Sequence, residues 1–173
     1  RLLNDVQGRL KPGLEFRFRT TTSKKVDSRV SRLAVLEQPV NRPTTPFLPP
    51  ERFGLTINGM LRMPLSGFFD FSLEGAGEAQ LRINDDSIVS LGTKTAEPLL
   101  LHKGHNRLQI NYFSPPTGHA QLRLLWRGYN FDWEPVPPDV LFHDSGSAEL
   151  ITAHQRRLGR ELFGNHRCAQ CHQ

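Results

Sequence analysis

The sequence predicts a mainly β protein, an antiparallel β-sandwich followed by one C-terminal amphipathic helix, on three observations. From about Leu10 to Trp133 apolar residues alternate with polar ones, the period of half-buried strands. Turn residues punctuate that series with no helical period between, as in two-sheet sandwiches. After Ser145 the period lengthens to that of a helix.

The strands follow in order. Leu14, Phe16 and Phe18 alternate with Glu15, Arg17 and Arg19. Leu55, Ile57, Gly59, Leu61 and Met63 form the longest set, and Phe69, Phe71 and Leu73 the next. Leu81 with Ile83, then Leu108, Ile110 and Tyr112, then Leu122, Leu124 and Trp126 complete the series. Turns are expected at Pro64 to Gly67, Gly75-Ala76-Gly77, Lys103-Gly104 and Pro115 to Gly118. Gln38 to Arg52 carries five prolines, which withhold ladder donors, so it is expected to be a loop crossing between sheets. In the helix, Leu150, His154, Leu158 and Leu162 recur at four-residue spacing after Ser147, a suitable N-cap. Gln155, Arg156, Arg157, Arg160 and Glu161 are expected to face solvent. The chain thus divides into a sandwich (1–134), a Pro-rich linker (135–146) and a C-terminal helical segment (147–173).

Composition excludes several classes. A hydrophobic share of 37% and a charged share of 23% suit a globular chain with a core. No apolar run reaches the roughly 18 residues of a membrane span. The net charge of +5 comes from arginines scattered along strands (Arg17, Arg19, Arg82, Arg107, Arg123, Arg127), not from a basic block, so no nucleic-acid partner is expected. Such a charge would instead favour an acidic redox partner. The chain begins at Arg1, and any export signal is expected upstream. No Gly-x-Ser-x-Gly elbow, His-Glu-x-x-His run or phosphate loop is present, and no catalytic residue is assigned.

The two cysteines stand three positions apart in Cys168-Ala169-Gln170-Cys171-His172, which offers no disulfide framework. Two thiols at this spacing reach the two vinyl groups of haem, and the adjacent His supplies an axial imidazole. Cys168 and Cys171 are therefore expected to be thioether anchors of covalent haem c, and His172 the proximal iron ligand. The alternatives are a redox dithiol, which more often follows a strand, and a zinc site completed by His166 and His172. Met63 is expected in the core, Met60 on the same strand's surface, and His154 and His166 on helix and loop, so none is assigned as a sixth ligand.

The run Leu158 to Phe163, with Gly159 and Phe163 four apart before Cys168, resembles the N-terminal helix and attachment site of class I cytochromes c. That resemblance covers about 25 residues and implies an incomplete cytochrome c domain, electron transfer and a periplasmic or otherwise extracytoplasmic location. In that family the glycine and aromatic pack against another helix of the haem domain.

A second resemblance covers roughly residues 10 to 133. Gly59-Met60-Leu61 to Phe71, Leu81-Arg82-Ile83-Asn84-Asp85, Leu101 through Gly104 and Leu108 to Tyr112, and Leu124-Leu125-Trp126 follow the order of the protective-antigen-type (PA-fourteen) β-sandwich. Members often bind glycans, and some yeast adhesins do so through calcium held by paired aspartates after the "Y-x-F-x-L" strand. Here that loop, Leu73 to Glu78, holds no aspartate pair. Asp85 and Asp86 are expected to form a turn, with calcium ligation as their secondary assignment. Trp133, with Tyr129 and Phe131, is the candidate sugar-stacking surface.

Two functions follow. In one, the sandwich docks a polysaccharide or glycan beside the redox centre, and a redox partner protein such as a sugar dehydrogenase exchanges the electrons. In the other, the sandwich is a spacer without a ligand.

Overall fold

The computed structural model describes residues 7–165. Its strands are β1 (Leu10–Pro12), β2 (Leu14–Thr20), β3 (Val26–Ser31), β4 (Val35–Gln38), β5 (Phe53–Met63), β6 (Gly67–Ala76), β7 (Glu78–Ile83), β8 (Asp86–Ser90), β9 (Leu99–Leu101), β10 (Gly104–Phe113), β11 (Ala120–Gly128), β12 (Phe131–Pro135) and β13 (Leu141–Asp144), and one helix, α1 (Ala148–Asn165), follows them. Eight strands form one sheet and five the other, every ladder between them antiparallel.

In the larger sheet β5 pairs along one edge with β10, from Gly54–Phe113 to Met63–Gly104. Its other edge is shared: β2 takes Phe53 to Asn58 and β13 takes Met60 and Leu61. β10 continues to β7 and β8, while β3 hangs on β2 and β1 on β13. In the smaller sheet β11 pairs with β6 on one side and with β4 and β12 on the other, and β9 extends β6.

The alternating positions predicted to face inward do so. Leu14, Phe16, Phe18, Leu55, Ile57, Leu61, Phe71, Leu73, Leu81, Ile83, Leu108, Ile110, Leu122 and Leu124 are all buried in one continuous core, and Met63 joins them. Met60 lies half-buried on the opposite face of β5. Residues 39–52 contain no strand and carry the chain from β4 in one sheet to β5 in the other.

The crossing from β6 to β7 takes a single residue, Gly77. Its φ is +124°, and a Cβ there would lie 2.5 Å from the Phe113 carbonyl, so only glycine fits. The Tyr112 hydroxyl donates to the Ala76 carbonyl at the same corner, and burial pushes that phenol up to about 12.

Two features differ from expectation. Leu141–Asp144, inside the segment read as a linker, forms β13 in the larger sheet. Four residues just after a proline stretch show too little alternation to stand out. The second is the orientation of α1, described below.

The connection from β9 to β10 depends on one buried amide. Asn106 Oδ1 accepts from the His102 backbone N–H (2.9 Å) and from Asn84 Nδ2 (3.1 Å), while its Nδ2 donates to the His102 carbonyl (2.7 Å). Asn106→Ala leaves these buried groups unpaired, at a cost of about 2–3 kcal/mol. Urea denaturation is expected to show a lower midpoint with an unchanged m-value.

Candidate functional site

Cys168, Cys171 and His172, with His166, lie outside the described residues. What the structure does place is the helix leading to them. Its arginine face, expected to face solvent, packs against the sandwich instead. Asp27 of β3 is fully buried, and Arg157 Nη2 donates to its Oδ2 at 2.7 Å, with Arg156 Nη1 3.9 Å from Oδ1. Arg156 Nη1 also donates to the Val26 carbonyl (3.2 Å), on the edge of β3 away from β2. Arg156, Arg157 and Arg160 gather over the Phe47 ring at 5.4–5.7 Å. Of the helix side chains, Ala153 is buried there. The helix thereby covers a strand edge that would otherwise offer unpaired backbone groups.

The physical reason is local. β3 presents a buried carboxylate and its neighbouring loop an aromatic face, and both are satisfied by guanidinium groups on long apolar stems. Ile151, Leu158, Leu162 and Phe163 remain exposed, the last two by 55% and 54%. Asp27 and Phe47 gave no signal in the sequence, whereas Arg156, Arg157 and Arg160 share one helical face and marked it in retrospect.

The helix begins over the outer face of β2. The Ser147 hydroxyl donates to Glu15 Oε1 at 2.9 Å, and the Leu150 N–H points to that hydroxyl at 3.5 Å, the predicted cap in a long form. Arg17 pairs with Glu149 at 2.6 Å and stands 3.9 Å from Glu15. Burial raises the Glu15 carboxyl above its ordinary range, opposed by the Ser147 bond, Arg17 and His143 and reinforced by Glu149.

Asp85 and Asp86 serve the hairpin between β7 and β8. Asn84 (φ +51°) and Asp85 (φ +74°) form its two-residue turn, as the hairpin twist requires. Asn84 Oδ1 accepts from the Arg107 N–H, Asp85 Oδ1 pairs with Arg107 Nη1 at 3.2 Å, and Arg82 Nη2 donates to the Asp85 carbonyl. Among the described residues no three His, Cys, Asp or Glu side chains gather as a cation would need. The aromatic trio is divided. Phe131 packs against Trp126 (5.4 Å) and Phe69 (6.3 Å), Tyr129 is wholly exposed, and half-buried Trp133 lies beneath Lys94 (4.9 Å) and Arg127 (5.1 Å). Arg127 is held in place by two bonds to Asp70 Oδ2, at 3.1 and 2.8 Å. Among the described residues no helix is long and apolar enough to cross a membrane.

This architecture is that of the PA14-like sandwich. No family model matches the sequence, and no curated protein matches it significantly. Solved structures do. A PA14 sugar-binding domain from an RTX adhesin shares 12% identity at a TM-score of 0.54, over 72% of this chain and 94% of its own. The epithelial adhesin 9 A domain of Candida glabrata, solved with Galβ1-4GlcNAc, gives 8% identity and a TM-score of 0.58 over 83% and 94%. An anti-sigma factor domain-containing protein from Clostridium clariflavum gives 19% identity and 0.62 over 76% of this chain; the chain spans 47% of that protein. At these identities the likeness is one of fold.

Glu15 generates a pH-dependence with a definite sign. Its folded pKa lies above the ordinary 4.5, so its full stability contribution is present below that value and is lost as pH rises through the folded value. Glu15→Gln keeps an acceptor for Ser147 and removes the buried charge. It is expected to raise the melting temperature at pH 7 and leave it unchanged near pH 4; equal shifts at both values would refute the assignment.

Proposed function

We propose that the chain is part of an extracytoplasmic c-type cytochrome, in which the PA14-like sandwich carries a haem-attachment segment and docks it to a glycan-bearing surface. One observation carries the cytochrome half. Leu158, Leu162 and Phe163 turn away from the sandwich, and among the described residues a Cβ on Gly159 would meet nothing within 4 Å. A helix that belonged to the sandwich alone would bury that stripe, worth about 1.5–3 kcal/mol per large side chain. The stripe is the face by which the resemblance to class I cytochromes c joins this helix to the haem domain.

The donor set suits haem c. Cys168 and Cys171 supply thiols for two thioether bonds, and His172 an axial nitrogen. Bound haem supplies one-electron transfer. The sandwich fixes where the segment begins, and the redox partner is a protein such as a sugar-oxidising dehydrogenase. Export to the periplasm or an equivalent compartment follows from the chemistry of covalent attachment.

The glycan half is supported by the fold shared with the sugar-binding domain of the RTX adhesin and with the Candida glabrata adhesin. Asp85 is engaged in its turn, so docking proceeds without calcium. That engagement also favours the second assignment, a spacer without a ligand.

The full-length protein, expressed in a periplasm with haem-maturation machinery, is expected to keep peroxidase-active haem on a denaturing gel, and Cys168→Ala and Cys171→Ala to lose covalent attachment. Wild type without bound haem sinks the cytochrome assignment. On a glycan array the same protein is expected to bind equally with and without chelator. A flat response on every glycan leaves the spacer.

A further inference from the structure

The β2–β3 hairpin end, the crossing segment 39–52 and the middle of α1 meet on one side of the molecule. The Thr21 N–H and hydroxyl both donate to the Arg52 carbonyl, and the Ser23 N–H donates to Glu51 Oε1. Lys25, Val26, Phe47 and Arg156 line one open hollow there, and Arg160 Nη1 donates to the Pro46 carbonyl at 3.4 Å. Residues 19–27, 39–52 and 156–161 hold eight lysines and arginines against three carboxylates, a net of +5, which is the net charge of the whole chain. The other fourteen cations and fourteen carboxylates cancel. Arg156 and Arg157 answer Asp27. The remaining six, Arg19, Lys24, Lys25, Arg42, Arg52 and Arg160, are exposed and make no ion pair with any described residue.

We infer that this face docks a protein partner through an acidic surface on that partner. Uncompensated charge of one sign steers and selects its opposite. Six of the eight cations are arginines, whose planar fork matches a carboxylate. Arg160 lies over Phe47 and Arg52 over Phe113, and the rings and carbonyls they meet hold these guanidiniums without neutralising them. Side chains already held lose little freedom on binding. The cations are spread over three elements rather than along one groove, which suits a broad surface and not a single polymer strand. The hairpin and the crossing segment expose only Val26 and Val40 among their large apolar side chains, by 36% and 49%, too little for insertion into a bilayer. That the occupant is the redox partner of the proposed function rests on the cytochrome assignment; that its surface is acidic does not.

The docking face is tested on the 173-residue chain by fluorescence anisotropy with a labelled peptide of alternating Asp and Gly, which stands in for an acidic surface, and with its Lys-Gly counterpart. Phosphatidylglycerol vesicles and polygalacturonate serve as competitors. The acidic peptide is expected to bind saturably at low salt and about tenfold more weakly at physiological salt, with the basic peptide silent. Arg19→Gln, Lys25→Gln and Arg42→Gln together are expected to weaken it by about tenfold or more at an unchanged melting temperature. Removal of the same charge elsewhere, by Lys11→Gln, Lys94→Gln and Lys103→Gln, is expected to change it by less than about twofold. Lys25→Glu alone is expected to weaken it several-fold and serves where the triple variant does not fold. Absence of saturable binding, equal losses in the two triple variants, or tighter binding of vesicles or polygalacturonate than of the peptide overturns the assignment. None of these measurements uses haem, so failure of the cytochrome assignment leaves the docking face standing.

Discussion

Strand β5 is eleven residues long, and one of its edges must serve two partners. β2 occupies the first half and β13 the second, so the first long strand and the last of the described strands become neighbours. The junction is possible only because Gly59 stands there: a Cβ would overlap a Leu14 methyl and lie 2.7 Å from the Phe142 carbonyl. Once β13 is seated, the chain beyond it has little freedom. The Ser145 N–H and hydroxyl both donate to the Arg9 carbonyl, Arg9 pairs with Asp144, and Ser147 reaches Glu15. The helix is therefore launched from a fixed point over the larger sheet rather than from a flexible tether.

Magnitudes explain why the face of the helix matters. A guanidinium over an aromatic ring is worth about 0.5–1 kcal/mol at an exposed site, and an exposed ion pair less than about 1 kcal/mol. The buried pair of Asp27 with Arg157 adds specificity more than net stability, because its desolvation offsets much of the attraction. Burial of Leu158, Leu162 and Phe163 would contribute more than these contacts combined. The sandwich edge offers only scattered apolar side chains: β3 reads Val26-Asp27-Ser28-Arg29-Val30-Ser31, with Asp27 facing the helix. Docking by arginines covers that edge and keeps the apolar stripe open for another surface.

The core was legible because period-two alternation survives wherever a strand has one wet and one dry face, as from Leu14 to Phe18 and from Leu108 to Tyr112. It failed for β3, whose edge position needs no apolar row, and for β13, too short to show a period. The helix was legible as an amphipathic element, but periodicity identifies a stripe and not what covers it. Glu15 and His143 were read as an outward strand residue and as part of a linker; Glu15 is buried where the start of α1 lies over β2, and His143 because its segment joins the sheet as β13, tertiary facts with no local signature. The Asn84-Asp85 turn was half legible. The aspartate was expected to cap it, while Asn84 and Asn106, which hold it to β10, carried no visible pattern.

The connection from β6 to β7 bears on what the end of β6 can hold. The resemblance to the PA-fourteen sandwich implies a calcium loop after the "Y-x-F-x-L" strand, and here Phe69-Asp70-Phe71-Ser72-Leu73 ends that motif. β6 instead runs on to Ala76, with Gly75 so close to the Gln121 carbonyl that no Cβ fits, and Gly77 alone crosses to β7. A one-residue crossing cannot arrange the six to eight oxygens that calcium needs. The crossing is set by close backbone approach alone, so the end of β6 is a rigid corner of the sandwich, pinned to β10 at Phe113 and to β11 at Gln121, rather than an open loop.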